Sequence, residues 1–138
     1  MLDTSAILCV LFGEEGFGQV TEILDTAQVS TSPDPIAVLL PFMALMEVEY
    51  WLLRRVSSGD LQRSLLLVES WPVTVRESDP NWRREAARVK SRGRLSVADA
   101  WIAALALTHD AELVHKDPEF DQVADLRSFR LPYRTLGS

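Results

Sequence analysis

The run IAVLL, residues 36–40, is followed at once by Pro41 and then by FMALMEVEYWLL, a stretch of helical character. Five consecutive apolar residues that include β-branched Ile36 and Val38 fit a strand buried on both faces. Pro41 suits the first turn of a helix, where its missing N–H is no loss. A strand buried on both faces needs a layer of helices on each side, and that commits the chain to an α/β design. The alternation repeats. PVTV (residues 72–75), AELVHK (residues 111–116) and SFRLPYR (residues 128–134, as an edge) read as further strands, and Met1-Leu2 as a short first one. Between them fall helical segments. Ala6 to Phe12 is closed by Gly13, and Glu15 to Ala27 carries apolar Phe17, Val20, Ile23, Leu24 and Ala27. Pro41 to about Val56, Leu61 to Trp71, Asp79-Pro80 through Arg92, and Ser96 to His109 follow, then a helical turn at PEFDQV. STSPDP is a loop and SSGD a break. Strand and helix in alternation predict a parallel sheet, here of about five strands in a three-layer α/β/α domain. Sites in such sheets form outside the carboxyl ends of the strands.

A chain of 138 residues is long enough for one domain with a sizeable core, so residues 1–138 are expected to form a single unit. No stretch reaches the roughly 18–20 apolar residues of a membrane span. Asp3 interrupts an N-terminus that lacks a basic leader, so no secretory signal is expected and the cytoplasm is the default. Cys9 is the only cysteine, which rules out an intramolecular disulfide and a cysteine zinc cluster. The net charge of −6 argues against nucleic-acid binding through a generally basic surface. It leaves a nuclease open, because acids gathered at a metal site dominate the sum while bound cations reverse the local field.

Four acids sit where a core-building sequence has little use for them. Asp3 follows the first strand, and Glu47 lies between Met46 and Val48 on a mostly apolar helix. Asp99 is the only charge between Leu95 and Leu107, and Asp117 closes LVHK before Pro118. Three of them have ordinary explanations: Asp3 as a helix cap, Asp99 as the acid of a capping box with Ser96, Asp117 as the start of a turn. Glu47 has the weakest, since a buried unpaired charge is very costly. Glu49 lies about 200° further around the same helix and faces solvent. Asp3, Asp99 and Asp117 fall at strand-to-helix junctions or a first helical turn on one edge of the expected sheet, and Glu47 lies in the second turn of a helix that directly follows a strand. Converging carboxylates repel unless a cation neutralises them. Mg²⁺ or Mn²⁺ takes oxygen ligands in that number. Phosphodiester hydrolysis is the usual chemistry of such a cluster.

On these residues the chain resembles the PIN-domain ribonucleases, and among them the VapC-type toxins of toxin–antitoxin pairs. LDTSAIL is similar to the family's opening motif, with Asp3 as first acid and Ser5 as its supporting hydroxyl. MEVEYWLLRR resembles the helix carrying the second acid, Glu47. SVADAWIAALAL resembles the third motif with Asp99, and ELVHKDPEF the last, with Asp117 as fourth acid and Phe120 as a structural aromatic. The order and spacing hold over about 115 residues of the chain. There are departures. The first strand is short, in keeping with a start further upstream. His115 stands where many relatives have a small hydroxyl residue, and Glu119 or Asp121 is an alternative to Asp117. His109 and His115, six apart, read as surface or strand-end residues.

The resemblance implies metal-dependent RNA cleavage. Asp3, Glu47 and Asp99 would hold one or two divalent ions directly or through water, Asp117 would complete the metal site or orient the nucleophilic water, and Ser5 would hydrogen-bond an acid or a substrate phosphate. Arg83, Arg84, Arg88, Lys90, Arg92 and Arg94 are candidates for guiding the RNA backbone or simply a solvated helix face. It also implies a homodimer and a cognate VapB-like antitoxin whose arm brings a basic side chain to the acidic pocket. Trp51, Trp71, Trp82 and Trp101 exceed what one small core usually contains, and aromatics favour interfaces. Two other classes fit less well. A phosphate-accepting signalling domain needs a neighbouring acid pair after its first strand, and Asp3 stands alone. A catalytically idle relative serving as a binding module has no need of all four acids.

Overall fold

The computed structural model describes residues 1–29 and 37–133. The expected STSPDP loop, Ile36 and Arg134 lie outside the described residues. In chain order the elements are helices α1 (Thr4–Leu11) and α2 (Phe17–Val29), strand β1 (Val38–Pro41), helices α3 (Phe42–Arg55) and α4 (Ser58–Glu69), and strand β2 (Val73–Arg76). Helices α5 (Pro80–Ser91) and α6 (Val97–Thr108), strand β3 (Leu113–His115), a 3₁₀ turn (Pro118–Gln122) and strand β4 (Ser128–Arg130) follow.

Two parallel ladders are formed, β1 with β2 (Val38 opposite Val73) and β3 with β4 (Leu113 opposite Ser128). Met1–Asp3 joins them. The Leu2 N–H donates to the Leu39 carbonyl at 3.0 Å, the Val114 N–H to Met1 at 2.9 Å, and the Asp3 N–H to Val114 at 3.2 Å. Leu2 and Val114 form a parallel bridge. The order is therefore β2, β1, residues 1–3, β3, β4: four strands among the described residues, with residues 1–3, the expected first strand, held at the centre by an isolated bridge and backbone hydrogen bonds, and SFR at the edge.

The sheet separates two cores through the two-residue period of its side chains. Leu2, Val38, Leu40 and Val114 pack with α1–α4. Met1 and Leu113 pack on the other side with α5 and α6, and half-buried Leu39 joins them. This is the sandwich that IAVLL demands. Trp82 is a member of that second core: its ring meets Trp101 edge-on at 5.0 Å and Phe42 at 5.7 Å, and its Nε1 donates to the Trp101 carbonyl. Trp82 thus fills the interior and half-buried Trp101 packs against it, so the number of tryptophans is no argument for an interface.

The helix ends follow the sequence signals closely. After α1 the Glu14 N–H bonds the Cys9 carbonyl and the Gly13 N–H the Val10 carbonyl, with Gly13 at φ +61°. This is the Schellman arrangement, for which glycine is the favoured residue. One expectation needs correction. SSGD is not a break: Ser57 caps α4 by accepting the Asp60 N–H, and Gly59 and Asp60 form its first turn. Serine three residues before an acid is a cap signal, and it outweighs the presence of Gly59.

Candidate active site

The opening Asp-Thr-Ser is spent on three separate contacts. Asp3 is the N-cap of α1. Its Oδ1 accepts the Ala6 N–H at 2.9 Å and the Ser5 hydroxyl at 2.7 Å. The Thr4 hydroxyl donates to Glu47 Oε1 at 3.1 Å, tying α1 to the second turn of α3. Ser5 Oγ in turn accepts the Lys116 N–H at 2.9 Å, so the start of α1 is pinned to the end of β3. Capping and clustering are not rivals at Asp3, because one carboxylate does both.

Asp99 occupies the first turn of α6, whose cap Ser96 accepts the Asp99 N–H. Asp117 caps the 3₁₀ turn by accepting the Glu119 N–H at 2.9 Å. Carboxylate oxygens of Asp99, Asp117 and Glu119 lie within 4.8 Å of one another. Gln122 holds this corner together: its Nε2 donates to the Glu119 carbonyl and its Oε1 accepts the Arg94 N–H from the loop before α6. Asp121 points elsewhere and pairs with Arg130 at 2.8 Å. The 3₁₀ turn thus presents Asp117 and Glu119, not Asp121, to Asp99.

Asp3, Glu47, Asp99 and Asp117 line one cleft of about 320 Å³, together with Thr4, Ser5, Glu14, Ser96, Trp51 and Arg55 among others. None of the six basic residues of α5 and the loop after it lines this cleft, and all six are exposed. Arg88 pairs with Glu85, and Arg84 bonds Asn81, on their own helix. A larger cavity of about 510 Å³, bounded by α2, Ala37 and Glu112, contains none of the four acids.

The charges in the cleft are frustrated. Burial pushes the Asp3 carboxyl up to about 7; the Ser5 and Ala6 hydrogen bonds work against the rise, and the charges of Asp99 and Asp117 add to it. Glu47 is raised by burial, opposed by its Thr4 bond and assisted by Asp99. Asp99 is raised by burial too, with Asp117 and Glu119 adding repulsion. All of the clustered donors are hard carboxylate or hydroxyl oxygens, the set that a divalent ion such as Mg²⁺ or Mn²⁺ accepts. A lone acid pair after the first strand, which a phosphate-accepting domain would need, is absent at residues 1–5.

The PIN-domain model matches residues 1–126. The chain belongs to the PIN-domain family. No curated protein sequence matches it. Solved structures share the fold of this PIN domain. One is VapBC2 from Rickettsia felis bound to a DNA fragment from its promoter, at TM-score 0.76, 15% identity and coverage of 96% of this chain and 98% of that one. DNA-bound VapBC from Salmonella typhimurium gives 0.71, 19% identity and coverage of 94% and 96%. VapC20 from Mycobacterium tuberculosis, a sarcin–ricin loop cleaving toxin, gives 0.67, 18% identity and coverage of 89% and 93%.

Several parts of the site were not visible in the sequence. Thr4 reads as a generic cap neighbour, and its partner Glu47 is 43 residues away. Glu14 reads as a surface acid, yet it holds the nearly buried Lys116 ammonium at 2.7 Å beside the cleft. Arg55 reads as a cation at a helix carboxyl end. Only Ser5, named as a supporting hydroxyl, was identified beforehand among the cleft's polar helpers. His115 is fully buried against Phe120, with ring centroids 4.9 Å apart, and is no part of the cleft.

Proposed function

We propose that this PIN domain is a divalent-metal-dependent endoribonuclease and the toxin of a toxin–antitoxin pair. One observation carries the reading: acids from four separate chain segments converge on a single cleft, in which burial and then the neighbouring carboxylates raise the proton affinity of Asp3, Glu47 and Asp99. Asp3, Glu47, Asp99 and Asp117 would hold Mg²⁺ or Mn²⁺, with Glu119 at the exposed rim. The ion lowers the pKa of bound water and offsets charge at the leaving oxygen, so no histidine base is required. Ser5 fixes the orientation of Asp3, and Thr4 that of Glu47. The Lys116 main chain, bonded to Ser5, keeps Asp117 in step with Asp3. Burial of Asp3 removes competing water from its carboxylate.

The toxin assignment is supported by the likeness to VapBC complexes and to an RNA-cleaving VapC. A VapB-like antitoxin would silence the site by presenting a basic side chain to the acids. A homodimer is supported by a stripe of Met46, Tyr50 and Leu53 along α3, at 63, 45 and 64% exposure and i, i+4, i+7 spacing. Among the described residues no helix is long and apolar enough to cross a membrane.

The test is cleavage of a panel of structured RNAs in Mg²⁺ or Mn²⁺ by the wild type, Asp3→Asn and Asp99→Asn. The wild type is expected to cut only with metal, and both variants to lose cleavage while keeping a native circular dichroism spectrum. Cleavage by either variant at the wild-type rate with normal metal dependence would overturn the site.

A further inference from the structure

The acidic cleft contains one cation that nothing in its acid chemistry requires. Arg55, the last residue of α3, lines it alongside Asp3, Glu47, Asp99 and Asp117. A cation among carboxylates is expected to pair with one. Among the described residues Arg55 forms no ion pair. Its guanidinium carbon lies 4.4 Å from the Trp51 ring centroid and 5.9 Å from that of Phe12, and both rings also line the cleft. The rings engage the face of the guanidinium and leave its N–H edges available. Cation–π contact of this kind holds a side chain in place without neutralising it. Neighbouring Arg54 also lies over a ring, Tyr50, at 5.5 Å, but it donates to the hydroxyl of that residue and does not line the cleft. A helix carboxyl end favours any cation, which accounts for both arginines carrying charge but not for the stacking of exposed Arg55 on two rings at the rim of the cleft. The other cation near the cleft, Lys116, is bound to Glu14.

We propose that Arg55 is a substrate-binding residue: it grips an RNA phosphate next to the one being cut, with Trp51 and Phe12 as positioning residues that hold its plane. A planar fork with free donors matches a phosphate's oxygens in bidentate fashion, which a lysine cannot reproduce. The arrangement answers a problem the acids create. A cleft lined by carboxylates repels the polyanion it is meant to cut, and metal at the acids relieves only the scissile phosphate. A fixed cation beside them supplies a second anchor and sets the direction in which the strand lies.

This inference rests on the ribonuclease reading, and the experiment separates the two. With the full-length protein in Mn²⁺, initial rates on the RNA panel are measured for wild type, Arg55→Ala, Arg55→Lys and Trp51→Ala, from about 50 to about 200 mM KCl. Arg55→Ala is expected to raise KM roughly tenfold with little change in kcat. It should also flatten the salt dependence of kcat/KM by about 0.7, the value of one phosphate contact on a single strand. Arg55→Lys should keep the salt slope and recover KM only in part. Trp51→Ala should raise KM without changing the slope, which a merely structural defect would not separate. Wild-type KM and wild-type slope in Arg55→Ala overturn the clamp while leaving the nuclease intact. In parallel, anisotropy of a fluorescein-labelled single-stranded RNA of random sequence is read with Mn²⁺ present. Binding of this RNA with no cutting of the panel by the wild type would overturn the nuclease, and weaker binding by Arg55→Ala would then leave only the phosphate contact standing; neither binding nor cutting would overturn both.

Discussion

Replacing Asp3 by Asn removes a charge the fold holds at a loss. The carboxyl is 4% exposed and its pKa is pushed from 3.8 to about 7, first by burial and then by Asp99 and Asp117. Below pH 3.8 the group is protonated in folded and unfolded chains alike, and no stability is lost. As pH rises from there, the unfolded chain gives up the proton while the folded one keeps it, so stability falls until the folded pKa is passed. Beyond about 7 the full penalty stands. A rise of about three units corresponds to roughly 4 kcal/mol. Asn is as good an N-cap as Asp, and its amide oxygen can still accept from Ala6 and Ser5. Left unpaired, its new NH₂ would cost about 1–2 kcal/mol. The net gain at pH 8 in EDTA is thus about 2–3 kcal/mol, or roughly 6–10 °C in Tm for a chain of this size. Thermal melts followed by circular dichroism, in EDTA at pH 8 and again near pH 4, are the assay. The variant should melt well above wild type at the higher pH and at or slightly below it at the lower. An Asp3→Asn protein that melts below wild type at pH 8, or an offset independent of pH, would refute the electrostatic account of the cleft.

Asp99→Asn should melt at or slightly above wild type in EDTA yet gain less on adding Mn²⁺, where an ion at ~100 times its dissociation constant adds about 2.7 kcal/mol to a competent site. Equal Mn²⁺ shifts in the two proteins would reduce Asp99 to a helix-capping acid. His115→Leu should raise Tm by an amount equivalent to about 1–3 kcal/mol, because both ring nitrogens of His115 are buried without a hydrogen-bond partner. Burial lowers its pKa from 6.5. The wild type therefore loses stability as pH falls below 6.5 and the unfolded chain takes up a proton that the folded one resists. The advantage of His115→Leu should accordingly widen in acid, and a lower Tm than wild type at pH 6 would count against it.

Local signals were legible and tertiary ones were not. Asp79-Pro80, Ser96 and Gly13 mark helix ends through backbone chemistry that needs no partner beyond a few residues, and each sits at the end it predicts. IAVLL and LVH declare a buried sheet by composition alone. The four acids stood out because each was locally out of place, and the cleft contains them all. Thr4 is an unremarkable hydroxyl until the fold brings Glu47 to it. Arg55 looks like half of an Arg54-Arg55 pair, and only the packing of α3 against α1 tells the two apart, setting one against Phe12 and the cleft. The choice between Asp117 and Asp121 was likewise non-local, since it depends on Arg130 in β4 drawing Asp121 away. At SSGD the error was local: Ser57 and Asp60 were outvoted by a glycine that α4 tolerates.

The place of residues 1–3 at the centre of the sheet governs when the cleft can exist. Chains are made from the N-terminus and fold as their parts emerge. The first strand emerges first, but its hydrogen bonds go to Leu39 and to Val114, so it waits for most of the chain before it is flanked on both sides. Closing such long loops is what slows non-local topologies. The fourth acid is residue 117 of 138, and Ser5 is held to the Lys116 backbone next to it. A nascent chain therefore carries Asp3 well before it carries an assembled cleft, and the two are separated by the time needed to make the 114 residues from Asp3 to Asp117.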